Sequence, residues 1–236
     1  MRVVNDPWPW FGTLHGRPLT LADLIERGTL TPELVAVLAW TIAHGASVFA
    51  AAGPQGAGKS TVASALLELL PDDAQVYVTS GPRDRLELPP SEHAPTYLLI
   101  NELSAHMSVY LSGPAVRRAF GLLPTGLRML GTLHARTAAE AAAVLYSEAG
   151  LQPVDLHTAF VFVVLAATWR GQDVVRRVVE LGFLSPAGEL TLLTHQSAQG
   201  SPRLDKAGLQ ALATWTGAPP TEIETDLARQ ATHWSS

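Results

Sequence analysis

The chain has 236 residues, 47% of them hydrophobic and 16% charged, with a formal net charge of −5 and a pI near 5.9. That length and apolar content suit one large folded domain, or a domain with a small appendage, and exclude a disordered or fibrous chain. No run of like charges offers the clustered basic surface of a general nucleic-acid binder, and the absence of cysteine excludes disulfides and cysteine-ligated zinc. The start, Met1 to Pro7, has no apolar signal core, which reads as a cytoplasmic protein. The apolar stretches around 34–52 and 159–168 are respectively interrupted by His44-Gly45 and too short to span a bilayer.

Residues 1–18, with Trp8, Trp10 and Phe11, show no periodicity and read as an N-terminal arm. Thr20 then caps a short helix through Glu26, and Thr31-Pro32-Glu33 opens a second helix running to His44, with Gly45 as its stop. An apolar strand, Ser47 to Ala52, leads into Gly53-Pro54-Gln55-Gly56-Ala57-Gly58-Lys59-Ser60-Thr61. This run fits the phosphate-loop pattern G-x-x-x-x-G-K-[ST] and precedes a helix expected to continue to Leu70. Small residues let successive backbone amides wrap a phosphate. Lys59 places a cation on the outer phosphates, and the Ser60 hydroxyl is positioned for Mg²⁺. Only Lys59 and Lys206 are lysines, so composition alone does not account for a lysine at the motif.

Further on, Gln75 to Thr79 predicts a strand, 80–95 a proline-rich loop, and Thr96 to Ile100 a buried strand delivering Asn101-Glu102 at its end. Pro114 to Leu123 reads as a helix, Leu127 to Leu133 as a strand, and Thr137-Ala138-Ala139-Glu140 as a capping box before an alanine-rich helix stopped by Gly150. Strands alternating with helices imply a mostly parallel sheet covered on both faces. Three β-like runs follow, Phe160 to Trp169, Asp173 to Leu181 and Glu189 to Leu193, with connectors short enough for antiparallel hairpins. Helices near 204–215 and 221–232 form the tail. The expected organisation is an arm (1–18), a phosphate-loop domain (19–195) and a C-terminal helical tail (196–236).

Glu102, at the tip of an apolar strand, stands where a phosphate-loop hydrolase keeps the carboxylate that orients or deprotonates water. The residue before it, often an acidic Mg²⁺ partner, is Asn101. A lone histidine after a strand, such as His134, is by itself more often structural.

The order of these segments resembles the secretion and pilus motor ATPases, the superfamily of type II and type IV secretion ATPases and pilus retraction motors. The resemblance rests on the phosphate loop, the strand ending in Glu102, the strand ending Thr132-Leu133-His134 before an alanine-rich helix, and Asp173 to Glu180, similar to the family's arginine-pair strand. It implies a RecA-like phosphate-loop fold, Glu102 as base, His134 at the phosphate end, ATP and Mg²⁺ as cofactors, and a hexameric ring. A catalytic set of Lys59, Glu102 and His134 follows, with cytoplasmic location, peripheral at the inner face of the membrane, and a membrane-embedded secretion or pilus protein as partner. The chain resembles a compact member lacking the N-terminal domain. Departures are Ser80-Gly81-Pro82 in place of the acidic Glu-Asp-Pro box and Leu103-Ser104-Ala105 where an arginine and an aspartate usually stand. The competing readings are a non-hydrolysing nucleotide-sensing subunit and a phosphate-loop small-molecule kinase. Arg83, Arg85, Arg117, Arg118 and Arg136 are the candidates for a charge-stabilising arginine, within a subunit or from a neighbour.

Overall fold

The computed structural model describes residues 1–5, 18–53, 55–88, 94–195 and 203–235. The expected aromatic arm, with Trp8, Trp10 and Phe11, and the loop residue Pro54 lie outside them. The strands are β1 (Arg2–Val3), β2 (Ser47–Ala51), β3 (Gln75–Val78), β4 (Thr96–Ile100), β5 (Arg128–Leu133), β6 (Phe160–Arg170), β7 (Asp173–Leu184) and β8 (Leu190–Leu192), with a small pair β9 (Thr194–His195) and β10 (Arg203–Leu204). The helices are α1 (Leu21–Glu26), α2 (Pro32–Ala43), α3 (Lys59–Ala65), α4 (Pro114–Gly121), α5 (Ala138–Ala149), α6 (Lys206–Thr216) and α7 (Pro220–Trp234).

Eight strands form one sheet in the order β1-β3-β4-β5-β2-β6-β7-β8. Pairing is parallel from β1 to β6 and antiparallel from β6 to β8. Period-2 alternation splits the strand side chains between two apolar clusters. Val48, Ala50, Leu99 and Val163 join the layer of α1, α2, α3, α6 and α7, whereas Phe49, Ala51, Leu98 and Phe162 join α4 and α5. With both faces covered, β2 is buried at every position, which is why it reads as a continuous apolar run. This is the expected α/β phosphate-loop NTPase fold.

Local chemistry explains the helix boundaries. The Thr20 side chain accepts from Asp23 N–H and the Asp23 carboxylate accepts from the Thr20 backbone, a reciprocal box. α2 is apolar around most of its circumference, and α7 packs against it within the same apolar cluster. Asp205 caps α6 through Gly208 N–H, and Leu212, Ile223 and Leu227 of the last two helices share the core of α2.

Four expectations are corrected in detail. The helix after the phosphate loop ends at Ala65 and tightens into a 3₁₀ turn, Leu66–Leu69, before Pro71. The helix read as Pro114 to Leu123 stops at Gly121, and a 3₁₀ turn, Leu123–Thr125, follows. At α5, Thr137 Oγ1 accepts from Glu140 N–H, but the Glu140 carboxylate accepts from Arg136 N–H instead of closing the box on Thr137. The first residues add an edge strand beside β3, which Asn5 extends by bonding both N–H and C=O of Val78; a two-residue pairing carries no periodicity to read.

Candidate active site

Sheet order brings three strand ends together. β2 lies between β5 and β6, and β5 lies between β2 and β4. Ala51 pairs with Leu133, and Ile100 with Gly131, so the phosphate loop, Glu102 and His134 leave the same carboxyl edge at nearly the same level. That edge is where open α/β sheets place ligands.

Gly58 at the N-cap of α3 has φ +98, a left-handed conformation that glycine adopts without strain, and no side chain caps the helix there. The amides of the first turn are thereby left to an anion. Gln55, Gly56, Ala57, Gly58, Lys59, Ser60 and Thr61 line a cavity of about 940 Å³ together with Glu102, Tyr110 and His134. Gly53 is outside that lining and lies against Arg136, where an added Cβ would lie 2.7 Å from Arg136 Cγ.

Within the cavity lining Lys59 Nζ stands 3.7 Å from Glu102 Oε2 and 3.4 Å from His134 Nδ1. His134 Nε2 is 3.3 Å from the same Glu102 oxygen. An ammonium has protons to give and no lone pair, so Nδ1 of His134 accepts and Nε2–H donates to Glu102. Ser104 Oγ donates to the other carboxylate oxygen at 3.0 Å. Lys59 and Glu102 are both buried. Burial holds the Lys59 amine below the ordinary lysine pKa, opposed by the Glu102 charge, which favours the ammonium. Tyr110 is pushed up by burial and then by Glu102.

The segment after Glu102 is a loop closed on itself. Leu111 N–H donates to Glu102 C=O, Ser104 N–H to Leu111 C=O, and Leu103 N–H to Thr132 C=O of β5. Thr132 Oγ1 donates to Asn101 C=O at 2.6 Å. The Ser80-Gly81-Pro82 loop has its own acid, Asp84, which is buried and accepts from Ser80 N–H, Leu86 N–H and the Tyr77 hydroxyl. Those bonds engage both of its oxygens.

None of the five arginines expected from sequence lines the cavity. Arg118 donates to Asp84 C=O, Arg85 pairs with Glu87 at 3.6 Å, Arg83 and Arg117 are exposed, and Arg136 lies over Gly53. The lining arginines among the described residues are Arg27 and Arg176. Arg176, on β7, donates from Nε to Gly56 C=O at 2.8 Å. Its strand was legible as an arginine-bearing run, but only the β6–β7 hairpin, in which Arg176 faces Ala167, turns it to the loop.

No protein-family model and no curated protein matches the chain. Among solved structures it is similar to the ATPase DotB of Legionella pneumophila, at 14% identity and a TM-score of 0.43, over 91% of this chain and 58% of that one. It is also similar to the VirB11 ATPase from the Brucella suis type IV secretion system, solved in complex with sulphate, at 16% identity and a TM-score of 0.40, over 72% of this chain and 59% of that one. The chain therefore spans less than two thirds of either protein.

Proposed function

We propose that this chain binds Mg-ATP on the 53–61 loop and hydrolyses it as the motor-type subunit of a secretion or pilus-like assembly. The observation that carries the reading is the convergence of Lys59, Glu102 and His134 within 3.3 to 3.7 Å at the mouth of the phosphate loop. The loop amides and Lys59 hold the phosphates. The Ser60 hydroxyl, a hard oxygen donor at the start of α3, would hold Mg²⁺, which would supply positive charge against the phosphates. Without nucleotide, Glu102 Oε2 is shared by Lys59 and His134; a phosphate that draws Lys59 away frees that oxygen to accept a proton from water. Ser104 and His134 keep the carboxylate oriented meanwhile. The motif order further supports a hexameric ring at the cytoplasmic face of a membrane, docked on a membrane-embedded assembly protein; no helix among the described residues is long and apolar enough to cross a bilayer.

The test separates binding from chemistry. Lys59→Ala is expected to lose ATP binding by calorimetry, whereas Glu102→Gln keeps affinity and loses hydrolysis by about 10²-fold or more. Retained affinity in the first variant, or equal rates in the second, overturns the assignment. The nucleotide-sensing reading has its own observation: Asn101 is neutral and Asp84 is engaged inside its loop. Tight ATP binding with turnover no faster than that of Glu102→Gln selects it.

A further inference from the structure

Glu102, His106 and His134 each offer a ligand atom, and these atoms lie within 4.8 Å of one another. Mg²⁺ chemistry does not call for two imidazoles, and His106 has no part in the reading above. We propose that this triad is a second, inhibitory metal site that takes a borderline divalent cation such as Zn²⁺ and removes Glu102 from use as a base.

The donor set selects the metal class. Imidazole with carboxylate suits zinc and its neighbours, whereas Mg²⁺ prefers oxygen ligands in octahedral array. Zinc bonds of about 2.1 Å at tetrahedral angles put two donors about 3.4 Å apart, and His134 Nε2 and Glu102 Oε2 are 3.3 Å apart. His106 is exposed, on the loop closed by Leu103 and Leu111, with its ring centroid 6.0 Å from that of His134. A rotamer change at this exposed ring can close the gap from 4.8 Å to about 3.4 Å and complete the set. A water would fill the fourth position, as at zinc sites with three protein ligands.

The wiring of His134 adds a linkage. A metal on Nε2 needs that lone pair, so the Nε2 proton must leave the ring or move to Nδ1. Nδ1 currently accepts from Lys59 at 3.4 Å, and a proton there would face an ammonium. The metal and the resting position of Lys59 therefore exclude each other. Removing the lysine cation should tighten the site.

The experiment is isothermal titration of the full chain with Zn²⁺ in Mg²⁺ buffer without nucleotide, repeated with Co²⁺ to read its tetrahedral absorption bands. Wild type should bind one Zn²⁺, His106→Ala should bind at least about tenfold more weakly, and Lys59→Met should bind more tightly than wild type. His233→Ala, on α7 outside the triad, serves as control. Absence of saturable binding in wild type, or an affinity in His106→Ala equal to that of wild type, overturns the proposal, as does a loss confined to His233→Ala. The inhibitory role rests on Glu102 being the base, but because the readout is metal binding without nucleotide, failure of the site and failure of the ATPase reading are distinguishable.

Discussion

Arg176 enters the phosphate loop from a strand 120 residues further along the chain, its Nε–H on the Gly56 carbonyl. Its loss should let the loop relax: Arg176→Ala is expected to weaken ATP binding about tenfold, the worth of one charge-assisted hydrogen bond. Arg177→Ala, next to it on β7, should bind as wild type does. Calorimetry on the two variants decides this, and equal affinities would detach Arg176 from the loop. A second residue-scale expectation concerns Tyr77, whose hydroxyl is pushed up to about 12 by burial and then by its bond to Asp84. A pKa raised from about 10 in the unfolded chain gives stability fully present below pH 10 and lost as the pH rises towards 12. Wild type should thus exceed Tyr77→Phe in urea stability at pH 9, by about 1 kcal/mol for the hydrogen bond, with the gap closing between pH 10 and 12. A gap independent of pH would refute the coupling. The contrast between these residues and the proposed catalytic set explains what the sequence made legible. Lys59 sits in a contiguous motif, and Glu102 and His134 each end an apolar strand, so local pattern finds them. Arg176 reaches the site only through hairpin register, which no local pattern encodes.

Helix α5 starts four residues after His134 and is fastened to β7 at its first turn. Ala138 N–H donates to Glu180 Oε1 at 2.9 Å, and a Cβ added to Gly182 would lie 2.2 Å from Ala138 Cβ. Gly182→Ala must therefore push α5 off the sheet, and overpacking of this kind costs about 1 to 3 kcal/mol. Denaturant unfolding should show that loss, and Ala138→Gly on the same chain should recover part of it; a double variant no more stable than Gly182→Ala would place the strain elsewhere. At this scale the elements themselves were readable, because capping threonines, Pro32 and Pro114 at helix starts, and apolar strand runs are local signals. Their arrangement was less so. That β2 lies between β5 and β6 depends on pairings across 80 residues or more, and the 3₁₀ turn ending α3 reflects packing of Leu66 into the core and not helix propensity. The hairpins from β6 to β8 were readable from their short connectors, but not that β6 also pairs parallel with β2 and so joins the hairpin to the main sheet.

The arginines that line the cavity and those expected from the sequence fall into separate groups. Arg27 and Arg176 line the chain's own cavity, whereas Arg83 and Arg117 are exposed away from its lining. Arg118 and Arg85 are held by Asp84 and Glu87 respectively. An arginine supplied to a neighbour must be accessible and, among the described residues, uncommitted in the single subunit; with Arg136 packed over Gly53 of its own loop, that directs the expectation among the five sequence candidates to Arg83 and Arg117. A finger of this kind is worth roughly 10³ to 10⁵ in rate at a phosphoryl-transfer site, so a chain that works as a ring should show specific activity that rises with protein concentration as assembly proceeds. Arg83→Ala or Arg117→Ala should then lower the rate of the assembled form while leaving ATP affinity and the rate of dilute subunits unchanged. Arg176→Ala, acting within its own site, should weaken binding at every concentration. Specific activity measured against concentration, with mass photometry on the same samples, distinguishes the two patterns. Activity per subunit that stays flat down to a monomeric sample, with both exposed-arginine variants as active as wild type, would mean that each subunit completes its site with Arg27 and Arg176 alone.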